Sequence, residues 1–301
     1  MTSDKGNVVI PFVDTHVHFY DMKHPTLYYG DWQPDKDHPN PMLGSQTRKL
    51  GQKNYLSSDF IEESAPEGVI KSVHVQAAIG TPDAIDETEW LQNAYQTTGM
   101  PNAIIGFVDL KKSSAEVEIN RHLEYPNFRG IRDFSAAQDT DYLINEDFVK
   151  GFALQQKYDL VSSVSAQWQN MERLQNLAGT FPDLPIVLDH AGFPDQRTPE
   201  YFKSWKAGMQ QAAEAENIIC KISGLGMGDQ SWTVESIKPY VETCIEIFSP
   251  SRCIFATNWP IDSLWSGYVD VISAYRKIVA HYTFSEVENM FKNNAENLYS
   301  I

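Results

Sequence analysis

The stretch Val8–His18, with the sequence VVIPFVDTHVH, joins an apolar run to two histidines that flank a single residue. Such a run is typical of a buried parallel strand. Residues i and i+2 of a strand point to the same face, so the imidazoles of His16 and His18 are expected to converge on one ion or one substrate atom. Ligand sites in α/β proteins gather at the carboxyl ends of strands, which favours a functional role over a chance pair on a polar loop.

Further short apolar runs alternate with longer amphipathic segments, such as Glu172–Thr180 and the segment that begins at Thr198-Pro199. The predicted strands are Val8–Asp14, Val69–Ala78, Ala103–Leu110, Phe128–Phe134, Leu160–Ser165, Pro185–Asp189, Ile218–Ile222 and Cys253–Thr257. This alternation predicts a single α/β domain over residues 1–301, a somewhat distorted (β/α)8 TIM barrel. An open doubly wound sheet is the competing architecture, but the first strand lacks the glycine-rich turn of its dinucleotide-binding version.

The segment Phe19–Ser58 interrupts this rhythm and shows no clear period. It is too aromatic for a disordered linker, and a loop this long in a compact domain is usually functional. We therefore expect an ordered, aromatic-rich loop after the first strand that covers the barrel mouth. Tyr20, Tyr28 and Trp32 are its candidates for substrate contact, unless these rings only pack the loop against the barrel.

Composition limits the class of partner. A formal net charge of −16 argues against nucleic acid. Three cysteines cannot form a complete disulfide framework, and neither a signal peptide nor a membrane-length apolar run is visible. We expect a cytoplasmic enzyme with a small-molecule substrate and no membrane partner, and leave a homodimer open.

Polar side chains follow several of the other predicted strands. They are Gln76 on the second strand, Arg129 and Arg132 on the fourth, His190 on the sixth, and Asn258, Trp259 and Asp262 on the eighth. His74, two residues before Gln76, is interpreted as a satisfied core histidine deeper in the barrel.

Two kinds of chemistry suit three histidines at one barrel mouth. They can bind a divalent metal such as zinc, which lowers the pKa of a bound water. Without a metal, they can stabilise an oxyanion on a substrate carbonyl. Arg132 can bind a carboxylate through two parallel hydrogen bonds, or form an ion pair inside the barrel.

Five ordered motifs resemble those of the amidohydrolase superfamily, in particular the lactonase-like branch of its amidohydrolase 2 group. They are Phe12–Asp21, Phe128–Arg132, Phe181–Gly192, Lys221–Leu225 and Asn258–Asp262. This resemblance implies a metal-dependent or metal-derived TIM-barrel hydrolase that opens a lactone or similar cyclic ester of a small acidic or sugar-derived compound. Decarboxylation of an aromatic or unsaturated acid, or non-catalytic binding of a small acidic ligand, are the alternatives.

The resemblance also assigns roles to residues. It implies that His16, His18 and His190 form the inner catalytic site and hold any single Zn or Mn ion, and that Gln76 and Arg129 or Arg132 line it. The strand-8 position, an aspartate in the family, is Asn258 here, and an amide has no useful basicity. The base is therefore left open between Asp262, Asp189 and a histidine, and a metal-independent mechanism stays open as well. Asp262 could instead cap the following helix.

Overall fold

The computed structural model describes residues 10–33, 43–134, 139 and 141–301, and within these residues eight parallel strands follow one another around one sheet. The strands are β1 Phe12–Val17, β2 Val69–Val75, β3 Ala103–Gly106, β4 Phe128–Asp133, β5 Val161–Val164, β6 Ile186–Leu188, β7 Ile218–Ile222 and β8 Cys253–Phe255. The end of β8 returns to β1, because Val17 forms a parallel bridge with Trp259 and the Thr15 hydroxyl donates to the Phe255 carbonyl at 2.9 Å. The sheet is thus a nearly closed barrel, which confirms the predicted (β/α)8 fold.

Helices separate the strands and cover the outside of the barrel. They are α1 Ser57–Ser64, α2 Ile85–Thr98, α3 Ala115–His122, α4 Glu146–Lys157, α5 Met171–Thr180, α6 Pro199–Ala213, α7 Val234–Phe248, α8 Tyr268–Ile278, α9 Phe284–Glu288 and α10 Asn294–Tyr299. The Thr198 hydroxyl caps α6 by accepting from the Tyr201 N–H, as its sequence predicts. In the described part of the chain, no helix is both long and apolar enough to cross a membrane.

Two apolar layers hold the barrel together. The larger one lies between the strands and the helices, and the smaller one fills the interior with Val, Ile and Ala side chains from most of the strands. Ala295 and Tyr299 of α10 join the interior cluster. The last helix therefore closes one end of the barrel, and the polar side chains described below occupy the other.

A bulge in β1 decides which way His16 points. Val13 belongs to the interior cluster, so strict alternation would turn Thr15 and Val17 inward and His16 outward. The pairing with β2 instead shifts between Asp14 and Val17, where β1 has one residue more than its partner. A bulge of this kind re-aims side chains, and here it directs His16 into the barrel.

Candidate functional site

Three histidines meet at the carboxyl ends of β1 and β6. The Nε2 atoms of His16 and His18 lie 3.1 Å apart, and the rings of His16 and His190 have centroids 4.3 Å apart. Burial lowers the pKa of His16 and His18 well below the ordinary value and lowers that of His190 to about 3. All three imidazoles are therefore neutral at neutral pH and keep one nitrogen lone pair each.

The backbone that presents His190 is strained. His190, Ala191, Gly192 and Phe193 have successive φ angles of 52°, 51°, 68° and 51°. A non-glycine residue in this left-handed region costs roughly 1–2 kcal/mol, and such strain tends to cluster at functional sites. Two contacts hold the turn: the Phe193 N–H donates to the His190 carbonyl at 2.9 Å, and the Trp205 indole donates to the Ala191 carbonyl at 2.8 Å.

Asp189 is a fully buried carboxylate next to the histidines. The Lys221 ammonium donates to it at 3.1 Å, the Ser163 hydroxyl at 2.9 Å and the Ser165 hydroxyl at 3.2 Å, while Arg132 Nε lies 3.4 Å away. Burial alone would raise the pKa of Asp189, but the charges of Lys221 and Arg132 hold it well below its usual range. Asp189 is therefore a fixed anion, which removes it from the candidate bases.

His190 has the most available nitrogen of the three rings. Its Nδ1 is 2.8 Å from the Ser223 hydroxyl, whereas its Nε2 has no hydrogen-bond partner among the described residues. His18 is oriented by Nδ1, 2.8 Å from the Val75 carbonyl, and its Nε2 faces His16. His190 Nε2 is thus the lone pair that best fits a proton acceptor.

The two arginines of β4 lie on opposite faces of the strand. Arg132 faces the interior beside Asp189, so the ion pair inside the barrel that its sequence position allowed is present, but Arg132 Nε makes no hydrogen bond of good geometry. Arg129 lies three residues earlier, on the other face of the strand, and donates to the carbonyls of Tyr299, Pro126 and Phe128. The expectation that Arg129 lines the site is corrected, because its guanidinium binds backbone near α10.

Asn258 lies at the mouth with a φ of 59°, a conformation that asparagine tolerates better than most residues. Its Nδ2 is buried without a hydrogen-bond partner, and so is Oδ1 of the neighbouring Asp262. Burial raises the pKa of Asp262 to about 8, and the charge of Asp14 adds to the rise. Asp262 is consequently protonated in most molecules at pH 7. It does not cap α8, since that helix begins at Tyr268 and the Gly267 N–H is capped by Asp270.

The aromatic loop brings one of its candidate rings to the histidines. Trp32 lies edge-on to His18 with centroids 6.0 Å apart and stacks on Tyr29. Tyr20 is fully buried behind Trp32 and donates to the Leu50 carbonyl, so its ring packs the loop, and Tyr28 is half exposed. Residues 34–42 of the predicted loop lie outside the described residues.

The structure agrees only in part with the predicted positions of Trp259, Gln76 and His74. The Trp259 indole donates to Glu63 of α1 at 2.8 Å, and only its backbone serves the site, by accepting from the His18 N–H at 2.7 Å. Gln76 follows β2 and its side chain is almost fully buried. His74 is a satisfied histidine, as predicted, but it faces Glu87 of α2 outside the barrel instead of lying deeper within it, because Val73 and Val75 occupy the interior face.

The donor set does not fit a metal ion as it stands. Within the described ranges, no group of three or more His, Cys, Asp or Glu side chains is arranged to hold one. Two zinc ligands at about 2.0–2.1 Å lie about 3.3 Å apart in tetrahedral geometry, close to the 3.1 Å between His16 and His18. Beside them, Lys221 and Arg132 are cations, Asn258 offers a neutral amide, and His190 is not arranged with the other two histidines as a three-ligand set among the described residues. The role of His16, His18 and His190 as metal ligands therefore stays a prediction, one that the donor set around them does not favour.

Sequence reasoning gave no role to Lys221, although the signal was present. A lysine inside the apolar strand Ile218–Ile222 is unusual, because lysine is almost never fully buried without a partner. Ser163, Ser165 and Ser223, which orient Asp189 and His190, carried no signal of their own.

A parallel barrel with histidines, a buried arginine and a buried ion pair at its strand ends has its polar groups where TIM-barrel enzymes place their active sites. The family model described as amidohydrolase matches residues 13–301, so the chain belongs to the amidohydrolase family. Two curated relatives support this assignment. One is the uncharacterized protein y4mH of Sinorhizobium fredii, 35% identical over 97% of this chain and 99% of that protein. The other is an L-fucono-1,5-lactonase of Burkholderia ambifaria, 26% identical over 86% of this chain and 83% of the relative.

Solved structures confirm the fold. An amidohydrolase from Burkholderia multivorans with bound zinc aligns with a TM-score of 0.82 at 22% identity, over 97% of this chain and 99% of the other. A dihydroxybenzoic acid decarboxylase from Polaromonas with bound manganese aligns with a TM-score of 0.66 at 12% identity, over 96% and 97%. These two proteins thus hold zinc or manganese in barrels of the same architecture.

Proposed function

We propose that this hydrolase opens a lactone of a small acidic or sugar-derived compound, and that it does so without a metal ion. The relatives named as lactonases support the reaction class. One observation carries the mechanism: the neutral His190 ring, held by Ser223, has a free Nε2, and the neighbouring Asp189 carboxylate favours the protonated ring that forms when Nε2 accepts a proton.

In the proposed reaction, His190 Nε2 accepts a proton from a water molecule as the water oxygen attacks the lactone carbonyl carbon. Negative charge develops on the former carbonyl oxygen and is stabilised by the positive charge of the Arg132 guanidinium, which Asp189 holds from one side, 3.4 Å from Nε. The ring C–O bond then breaks, and the proton passes from His190 to the released ring oxygen. One lactone and one water give one hydroxy acid.

Arg132 is also suited to select an acidic substrate. Its guanidinium is nearly fully buried and lies over the Phe134 ring at 4.7 Å, which fixes its plane. A planar guanidinium binds a carboxylate through two hydrogen bonds, whereas a neutral sugar lactone would use only part of this capacity. We therefore expect faster turnover of lactones with a carboxylate substituent.

The test is a panel of acidic and sugar-derived lactones, with hydroxy-acid formation followed by proton release. Wild-type protein that has been treated with a chelator and analysed for metal content should retain its activity. R132M should lower kcat/KM for acidic lactones by about 10², while the matched control R129M, which removes an arginine outside the site, should leave kcat/KM close to wild type. Release of CO2 from an aromatic acid, or ligand binding with no turnover across the panel, would contradict the proposal.

A further inference from the structure

Lys221 is a buried cation to which the proposed reaction assigns no step. Its side chain is fully buried in the middle of β7, donates to Asp189 Oδ1 at 3.1 Å and lies 3.5 Å from His16 Nδ1. A buried ammonium is costly unless it is paired. Asp189 provides this pairing, and the contact with His16 Nδ1 is a second interaction of the same ammonium.

We propose that Lys221 is a positioning residue that fixes the tautomers of His16 and His18 and thereby keeps the site free of metal. An ammonium has three donors and no acceptor, so His16 Nδ1 must present its lone pair to Lys221. The proton of the neutral His16 ring is then on Nε2, from which it is donated to His18 Nε2 at 3.1 Å. His18 carries its own proton on Nδ1 and donates it to the Val75 carbonyl at 2.8 Å.

The opposite end of this chain of hydrogen bonds requires the same arrangement. A carbonyl oxygen only accepts, so Val75 places the His18 proton on Nδ1 and leaves Nε2 as an acceptor. His18 Nε2 then needs a donor, which His16 Nε2–H supplies. Two independent partners, Lys221 and Val75, thus specify one proton arrangement between them.

This arrangement opposes metal binding. A metal ion shared by His16 and His18 needs both Nε2 lone pairs, so the His16 proton would have to move to Nδ1. The His16 Nδ1–H group would then face the Lys221 ammonium, and two hydrogen-bond donors would point at each other. A carboxylate oxygen that could accept from this group, Asp189 Oδ1, is 3.7 Å from His16 Nδ1 and is already bound by Lys221. This inference rests on the proposed function in one respect: excluding metal serves the protein only if the hydrolase works without a metal ion.

The first experiment reads the tautomers directly. Two-bond ¹H–¹⁵N correlation spectra of ¹⁵N-histidine-labelled, metal-free protein at neutral pH should show His16 protonated on Nε2 and His18 protonated on Nδ1, with assignments from H16Q and H18Q. A His16 ring protonated on Nδ1 would overturn the proposal. This readout does not depend on turnover, so an inactive protein with the expected tautomers would count against the proposed function alone.

The second experiment compares K221M with the matched surface variant K150M, whose lysine is exposed and forms an ion pair with Asp147. In K221M we expect His16 to move its proton to Nδ1 and zinc affinity, measured by chelator competition, to rise by about 10-fold or more. K150M should match wild type in both measurements. Equal zinc affinity of K221M and wild type would refute the metal-excluding role, and if K221M does not fold, the wild-type spectrum decides the proposal.

Discussion

Asp189 and Lys221 form an ion pair in the barrel interior, with 3.1 Å between Oδ1 and Nζ and with both side chains fully buried. Parallel strands β6 and β7 place them side by side, and Arg132 reaches the same carboxylate from β4. Two cations thus depend on one anion.

Replacing Asp189 by Asn should therefore be strongly destabilising. Breaking a buried pair from one side leaves an uncompensated charge, and we expect D189N to lower the free energy of unfolding by about 3–5 kcal/mol. Chemical denaturation at neutral pH measures this, with D147N, from an exposed pair with Lys150, as a control that should cost no more than about 1 kcal/mol. Since the folded-state pKa of Asp189 is depressed, its contribution should persist above about pH 4 and be lost as the pH falls further. A D189N protein as stable as D147N would contradict the role of the pair.

His190 should matter for chemistry more than for folding. H190Q keeps a polar side chain but removes the free Nε2 base, and kcat/KM should fall by at least about 10². Thermal denaturation should show little change, because the ring makes one side-chain hydrogen bond, to Ser223. Wild-type turnover by folded H190Q would assign the base to another group.

Asn258→Asp should change metal content more than activity. The new carboxylate would add a charged ligand beside the histidines, so metal analysis after growth with zinc should show more bound metal than in wild type. It would also stand next to Asp262 and oppose an anionic substrate, so turnover of acidic lactones should be equal or lower. A large gain in metal-free activity would instead identify position 258 as the site of a missing base.

Asp262 should make stability depend on pH. Its folded-state pKa of about 8 lies above the ordinary value of 3.8, so the folded protein holds a proton that the unfolded chain releases, and stability falls as the pH rises between these values. In D262N the fall between pH 5 and 8 should be smaller by up to about 1.4 kcal/mol per pH unit. Denaturation curves at several pH values measure this difference, and parallel slopes in the two proteins would show that Asp262 is ionised when folded.

Trp32 is expected to affect the substrate, whereas Tyr28 is not. W32A removes the ring that faces His18 and should raise KM, while the matched loop variant Y28A, which truncates a half-exposed ring, should behave like wild type. Steady-state kinetics on the best lactone separate the two. Unchanged KM and kcat in folded W32A would show that the Trp32 ring only packs the loop against the barrel.

The sequence was sufficient for the barrel because strand periodicity and strand order are local signals. It also placed His16, His18 and His190 at one end, since each follows an apolar run. Arg129 and Arg132 show the limit: both belong to one quoted motif, yet three residues along a strand reverse the face, and only Arg132 reaches the interior. His74 and Gln76 are two residues apart and are expected on the same inward face of β2. Val73 and Val75 fill the interior instead, so His74 faces outward.

The sequence does not show which atoms of the site donate and which accept hydrogen bonds, nor which side chains have shifted pKa values. Lys221 was visible as a charged residue in a strand, but its contact with His16 joins β7 to β1 across the barrel. The raised pKa of Asp262 likewise arises from burial that depends on the whole fold. Such properties depend on distances between residues far apart in the chain, which no local pattern encodes.

The surplus residue of β1 gives this site a tolerance of strand length. Deleting Thr15 would remove that residue and restore regular alternation, and His16, then the second residue after Val13, would still face the interior. The bulge can therefore give up one residue while His16 and His18 keep their faces. Related chains can accordingly differ by one residue in this strand and still bring the same two imidazoles to the barrel mouth.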